Sequence, residues 1–183
     1  MTAPSVDTIA IIGAGHIGTG IAQIGLKTGF NVVLIDQAIE ALAQATDGLG
    51  ETLARKLSDG EIDQAEHDSR LSRLSSGVDF SLVKNAQVVI ESVSEIEDVK
   101  RNIYKAISND LQPDAMLATT TSSISITRLA ASSDRPNRFI GMHFMNPVPA
   151  MQVIEIIRGI ATDDTTYDQA LALTAKLGKT PIT

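Results

Sequence analysis

The sequence has no cysteine and no tryptophan, and its aromatic content is only 3%. Without thiols there is no disulfide framework, no cysteine nucleophile and no thiolate-ligated metal, and no metal site is expected. With so few rings, the core of a chain that is 43% hydrophobic must be built mainly from Ile, Leu, Val and Ala. Positive charge is scarce too: 15 Lys and Arg against 22 Asp and Glu leave a net charge of −7. The basic residues form no run, which argues against a nucleic-acid partner. No apolar stretch approaches the roughly 20 residues of a membrane-spanning helix. The first expected strand opens at Thr8, so no signal or transit peptide is expected and a cytoplasmic location follows. The 183 residues suit one full domain, 1–183.

What is present is concentrated first in TIAIIGAGHIGTGIA, Thr8 to Ala22. Thr8 to Ile12 reads as a buried strand, Gly13, Gly15 and Gly18 form GxGxxG, and Ile17 to Leu26 reads as the helix that follows. In such a loop the first glycine allows a tight turn, the second lets backbone approach a pyrophosphate, and the third lets helix pack on strand. The helix N-terminus then presents free N–H groups to the phosphates. A second aliphatic strand, Asn31 to Ile35, ends at Asp36. There a carboxylate holds a ribose diol and repels a 2′-phosphate, which favours NAD over NADP.

Further along, Ile39 to Leu57 has the apolar spacing of one long helix, interrupted by Gly48 and Gly50, and the polar Ser58 to Arg70 reads as an exposed helical arm or hairpin. Strands are expected at Leu71 to Ser75, Val88 to Ile90, Met116 to Thr119, Phe139 to Met142, Met151 to Ile157 and Thr180 to Thr183. Helices are expected at Val99 to Ile107, Ser125 to Ala131 and Thr165 to Leu177. This alternation predicts an α/β fold: a Rossmann-like, doubly wound, mostly parallel sheet with a helical arm after the second strand.

Of the three histidines, His67 reads as solvated, His16 matters through its backbone, and His143 ends an apolar strand before the rigid Asn146–Pro149 turn. Glu155 lies in a strand aliphatic on both faces, so its carboxylate needs a partner. That partner is His143, which would make a general-base dyad, or else an arginine or a backbone amide. Ser122 follows the fifth strand and either binds a substrate oxygen or caps the next helix. On residue type alone, Glu95, Glu97, Asp98 and Lys100 read as a solvated helix start.

Four stretches together, GAGHIGTGIAQ at Gly13 to Gln23, ESVSEIEDVK at Glu91 to Lys100, TTSSISIT at Thr120 to Thr127 and FIGMHFMNPVPAMQVIEII at Phe139 to Ile157, resemble the 3-hydroxyacyl-CoA dehydrogenase family, especially its bacterial 3-hydroxybutyryl-CoA members. The resemblance implies that His143 is the catalytic base, oriented by Glu155, that Ser122 holds the substrate hydroxyl and that Asn146 lies beside the nicotinamide. It implies NAD contacts at Gly13, Ala14, Gly15, His16, Ile17, Gly18, Asp36, Glu95, Lys100, Ser122 and Asn146. The implied reaction is NAD-dependent oxidation of a short 3-hydroxyacyl-CoA to the 3-ketoacyl-CoA. This chain departs from the family pattern at Thr120 and Ile96, where the family has asparagines, and at Ser58, Asp59 and Glu61, where it has lysines that meet the CoA phosphates; Thr52 replaces a nearby serine. The family's C-terminal helical domain, which covers the substrate and forms a homodimer, is expected to be absent here, leaving a chain that binds NAD but turns over slowly. The alternatives are a dehydrogenase of a free hydroxy acid, of the L-gulonate type, and a non-catalytic dinucleotide-binding module.

Overall fold

A computed structural model describes residues 6–183. Eight strands form one sheet: β1 (Thr8–Ile12), β2 (Asn31–Ile35), β3 (Leu74–Gly77), β4 (Val88–Glu91), β5 (Met116–Thr119), β6 (Phe139–Phe144), β7 (Val153–Arg158) and β8 (Thr180–Ile182). Their order is β3-β2-β1-β4-β5-β6-β7-β8, so the chain moves outward from β1 in one direction and then, after β3, in the other. All neighbours are parallel except β6 and β7. The expected doubly wound, mostly parallel sheet is what forms.

The helices are α1 (His16–Lys27), α2 (Ile39–Ser58), α3 (Gln64–Ser72), α4 (Glu97–Ile107), α5 (Ile126–Ala130) and α6 (Asp164–Lys176). Alternation along each strand splits the apolar side chains between two layers. Ile9 and Ile11 of β1 join the layer under α1, α2 and α6, and Ala10 and Ile12 join the layer under α4 and α5. Burial on both faces explains why the strands read as continuous aliphatic runs. The Tyr104 ring meets the Phe139 ring edge-on, centroids 5.1 Å apart, fastening α4 to the sheet.

Two of the expected boundaries move for a visible reason, and one long helix holds across its glycines. Asp63 caps α3 by accepting the Glu66 N–H, so the helix runs through Leu71 and the third strand starts at Leu74. β6 continues to Phe144 because Phe144 pairs with Ile154 across the antiparallel ladder, which places His143 inside the strand. Along α2, buried Leu42, Ala45, Leu49 and Leu53 hold one helical stripe, and that packing carries the helix across Gly48 and Gly50.

Candidate active site

The carboxyl ends of β1, β4, β5 and β6 are level: Ile12 pairs with Glu91, Glu91 with Thr119, and Thr119 with Gly141. The glycine loop, the 92–96 loop and the 120–125 loop therefore leave the sheet at one rim, where ligands bind in open α/β sheets, and β6 extends beyond that level to carry His143.

At the glycine loop, Gly13 has φ +114, and a Cβ there would sit 2.3 Å from the Ser92 carbonyl oxygen; one on Gly18 would sit 1.8 Å from the Gly13 carbonyl oxygen. Both positions therefore require glycine. Gly15 caps α1 without a side chain, no acidic residue occupies the first turn, and a Cβ added to Gly15 meets nothing within 4 Å. A cavity of about 680 Å³ opens beside it, lined by Gly13, Gly15, Asp36, Val93 and Asn102 among others. Open backbone, a helix N-terminus free of acids and a cavity of that size fit a dinucleotide. Asp36 braces this cradle: its Oδ2 accepts the Ala14 N–H at 2.8 Å and its Oδ1 the Ala38 N–H at 2.9 Å.

His143 and Glu155 face each other in register on β6 and β7, with Nδ1 and Oε2 2.7 Å apart. Their side chains are 24% and 44% exposed. The premise of a buried carboxylate is thus corrected. Ile154 and Ile156 are buried, whereas Val153 and Glu155 are only part-buried and Ile157 is exposed, because the face carrying Glu155 is the thinly covered one. Asn146 is exposed and joined to Pro147 by a cis peptide bond. Its turn is held against α1 at Gly20, where a Cβ would lie 2.7 Å from the Val148 Cβ. Asn146 shares a cavity of about 530 Å³ with Ala14, Gly15 and His16.

Ser125, not Ser122, caps α5, accepting the Arg128 N–H. That leaves Ser122 exposed at the rim, its N–H donated to Glu95 Oε1 at 3.0 Å. The same Glu95 oxygen accepts the Ser123 N–H and hydroxyl at 3.1 and 3.0 Å, and the Thr121 hydroxyl. Burial pushes the Glu95 carboxyl up, but the Thr121 and Ser123 hydroxyls, the Lys100 charge and the Ser122 N–H outweigh it and hold the pKa at about 2.

The reading of residues 95–100 as a solvated helix start fails at Lys100, which is 0% exposed and ion-paired to Glu91 at 2.7 Å. In this structure its ammonium faces Glu91 and Glu95 and presents no surface to a cofactor. Glu91, Tyr104 and Thr119, which complete this buried cluster, are not singled out by motif spacing. The signal for them is a glutamate ending the aliphatic run VVIE, a carboxylate that must find donors.

A third cavity, about 310 Å³, lies between α1, α2 and the 149–152 turn, and shares Gln23 and Pro149 with the second. Lys27, Lys56, Arg70 and Lys179 line it, together with Thr52. The acidic arm does not face it with free charge: Glu61 is paired to Lys56 and Glu66 to Arg70.

Residues 8–183 match the family described as 3-hydroxyacyl-CoA dehydrogenase, NAD binding domain. The chain belongs to this family. It is 44% identical over 174 residues to the 3-hydroxybutyryl-CoA dehydrogenase of Bradyrhizobium diazoefficiens, covering 95% of this chain and 59% of the relative. It is 36% identical over 178 residues to the 3-hydroxyadipyl-CoA dehydrogenase of Escherichia coli, covering 97% and 38%. The crystal structure of (S)-3-hydroxybutyryl-CoA dehydrogenase from Ralstonia eutropha superposes with a TM-score of 0.92 at 41% identity, covering 98% of this chain and 63% of that one. The chain thus spans about three fifths of the first of these relatives. Family membership accounts for the dinucleotide cradle: this is an NAD-binding domain of the 3-hydroxyacyl-CoA dehydrogenases.

Proposed function

We propose that this chain is the cofactor-binding and proton-handling part of an NAD-dependent 3-hydroxyacyl-CoA dehydrogenase acting on a short acyl chain such as 3-hydroxybutyryl-CoA. The observation that carries the reading is the His143–Glu155 pair, in register at 2.7 Å on the same rim as the glycine loop. Glu155 accepts the Nδ1–H of His143, fixing the tautomer in which Nε2 is free to take a proton. Nε2 removes the proton of the substrate 3-hydroxyl, and the Glu155 carboxylate stabilises the imidazolium that results. Ser122 donates its hydroxyl to the substrate oxygen, and Asn146 orients the nicotinamide side of the site. Bound NAD supplies the acceptor for the hydride leaving the same carbon. Gly15, His16, Ile17 and Gly18 would hold its phosphates through backbone N–H groups, Gly13 and Ala14, whose own N–H groups go to Ile35 and Asp36, would shape the turn beneath them, and Asp36 would hold a ribose.

The cavity where Lys27 and Lys179 remain outside the Lys56–Glu61 and Arg70–Glu66 pairs favours an acyl-CoA over a free hydroxy acid, because a small acid has no anionic tail to place there. A cytoplasmic location goes with this reading. The test is NADH oxidation by the chain with acetoacetyl-CoA or with a free 3-keto acid as acceptor. The proposal expects turnover with the CoA ester that His143→Gln lowers by about 10²–10⁴-fold, and NADH binding that it leaves intact. Faster turnover of the free acid would move the assignment to the hydroxy-acid dehydrogenases.

A further inference from the structure

At the end of β4, the buried cluster around Glu91 carries charge that the mechanism does not use. Glu91 is 0% exposed. Its Oε1 accepts the Val93 N–H at 2.8 Å and the Lys100 ammonium at 2.7 Å, and its Oε2 accepts the Tyr104 hydroxyl at 2.6 Å and the Thr119 hydroxyl at 2.7 Å. Burial, then the Glu91 charge, push the Tyr104 phenol up, so it stays a donor. Lys100, also 0% exposed, is divided between Glu91 and Glu95, whose Oε2 lies 3.4 Å away, and it reaches the Val93 carbonyl at 3.4 Å.

A buried ion pair of this kind is a weak source of stability, because desolvation offsets most of the attraction. What it supplies is position. Val93 belongs to the loop that walls the nucleotide cavity. Glu95, at the end of the same loop, accepts the Ser122 and Ser123 N–H groups, the second shared with the Thr121 hydroxyl oxygen at 3.4 Å. The chain of contacts Glu91, Lys100, Glu95, Ser122 therefore joins the cofactor side of the rim to the substrate side.

We propose that Glu91 is a positioning residue: by fixing the Lys100 ammonium it fixes the Glu95 carboxylate, and through Glu95 the backbone that presents Ser122. The inference rests on the dehydrogenase reading only for what Ser122 does; the relay itself is a statement about the free chain.

The test is residue-resolved amide exchange with water, measured by NMR on the 183-residue chain without cofactor or substrate. In Glu91→Gln the expected result is exchange at Ser122 and Ser123 about tenfold faster, with the β1 and β5 core amides of Ile11 and Leu117 unchanged. Equal exchange at Ser122 and Ser123, or acceleration spread evenly over the core strands, overturns the proposal. Glu91→Gln strands an ammonium in the interior, so a second variant, Glu91→Gln with Lys100→Met, removes that charge. If Glu91 served only to neutralise Lys100, the double variant restores wild-type exchange at Ser122 and Ser123, which overturns the proposal. If it positions Glu95 through Lys100, those two amides stay fast while the core remains protected. Because no ligand takes part, an absence of dehydrogenase activity counts against the functional reading and leaves this result standing.

Discussion

His143 and Glu155 divide one task between two side chains. A histidine alone at a strand end can take a proton, but its ring is free to turn and either nitrogen can carry the hydrogen. A carboxylate 2.7 Å from Nδ1 removes both freedoms. His143→Gln keeps the shape and a donor while removing the base, so turnover is expected to fall by about 10²–10⁴-fold with NADH affinity unchanged by fluorescence titration. Glu155→Gln is expected to lower kcat less, because the base survives and only its orientation and the imidazolium's counter-charge are lost. Glu95 makes a different prediction, in pH. Its carboxyl is lowered from the usual 4.5 to about 2, so its bonds to residues 121–123 contribute stability that is fully present above about pH 4.5 and is lost as pH falls toward 2. Urea unfolding of Glu95→Gln against the wild type is expected to show a constant gap above pH 5 that narrows steadily below it. A gap independent of pH down to 3 contradicts the assignment. With its side chain 38% exposed, solvent screens Glu95 and the gap is modest.

Elements bring these residues together by close approach. α1 carries the glycine loop at its start and meets the Asn146–Pro149 turn at Gly20, where there is no room for a methyl group: a Cβ would lie 2.7 Å from the Val148 Cβ. Gly20→Ala is expected to destabilise the chain by about 1–3 kcal/mol, because the turn must move off the helix, even though alanine favours helix. The same shift should weaken NADH binding, since Asn146 and Gly15 share a cavity. Thermal unfolding and NADH titration of the one variant check both. The elements were legible in sequence wherever pattern and burial coincide. The strand Met116–Thr119 and the helix beginning at Ile39 come out at the expected residues, because a strand buried on both faces is an aliphatic run and a long amphipathic helix keeps its stripe. Sequence failed where a carboxylate's surroundings depend on which face a neighbour covers. In sequence, the aliphatic strand around Glu155 marks it as the carboxylate in need of a partner, yet Glu155 is 44% exposed and it is Glu91 that is wholly buried among four donors. Lys100 escaped for the complementary reason: a lysine in a charged helix start gives no sign in one dimension that its strand-end partner lies beneath it.

At the scale of the whole molecule, the antiparallel pair β6 and β7 sets the proton-transfer side of the rim apart from the cofactor side. The cofactor side is built inward: the glycine loop, Asp36 and the 92–96 loop enclose a cavity of about 680 Å³ from three directions. The proton-transfer side is built on β6 and β7, where His143 and Glu155 lie 24% and 44% open and Ile157, on the face of Glu155, is 38% exposed. Binding of NAD needs only the first half. Turnover also needs a substrate held at a fixed angle to the base and water kept from the reacting carbon, and His143 and Glu155 lie on a face partly open to solvent. The 183-residue chain is therefore expected to quench or shift NADH fluorescence saturably while reducing acetoacetyl-CoA at least about 10²-fold more slowly than a relative of full length, such as the Bradyrhizobium enzyme of which it spans 59%. The deficit should fall on kcat more than on the KM for NADH, because the cradle is complete and the orientation is not. Measuring both constants for the chain and for that relative, under one set of conditions, separates the cases: matching kcat values mean that the β6–β7 rim is sufficient as it stands, and matching NADH affinities with unequal kcat values mean that the two halves of the site are built by different parts of the protein.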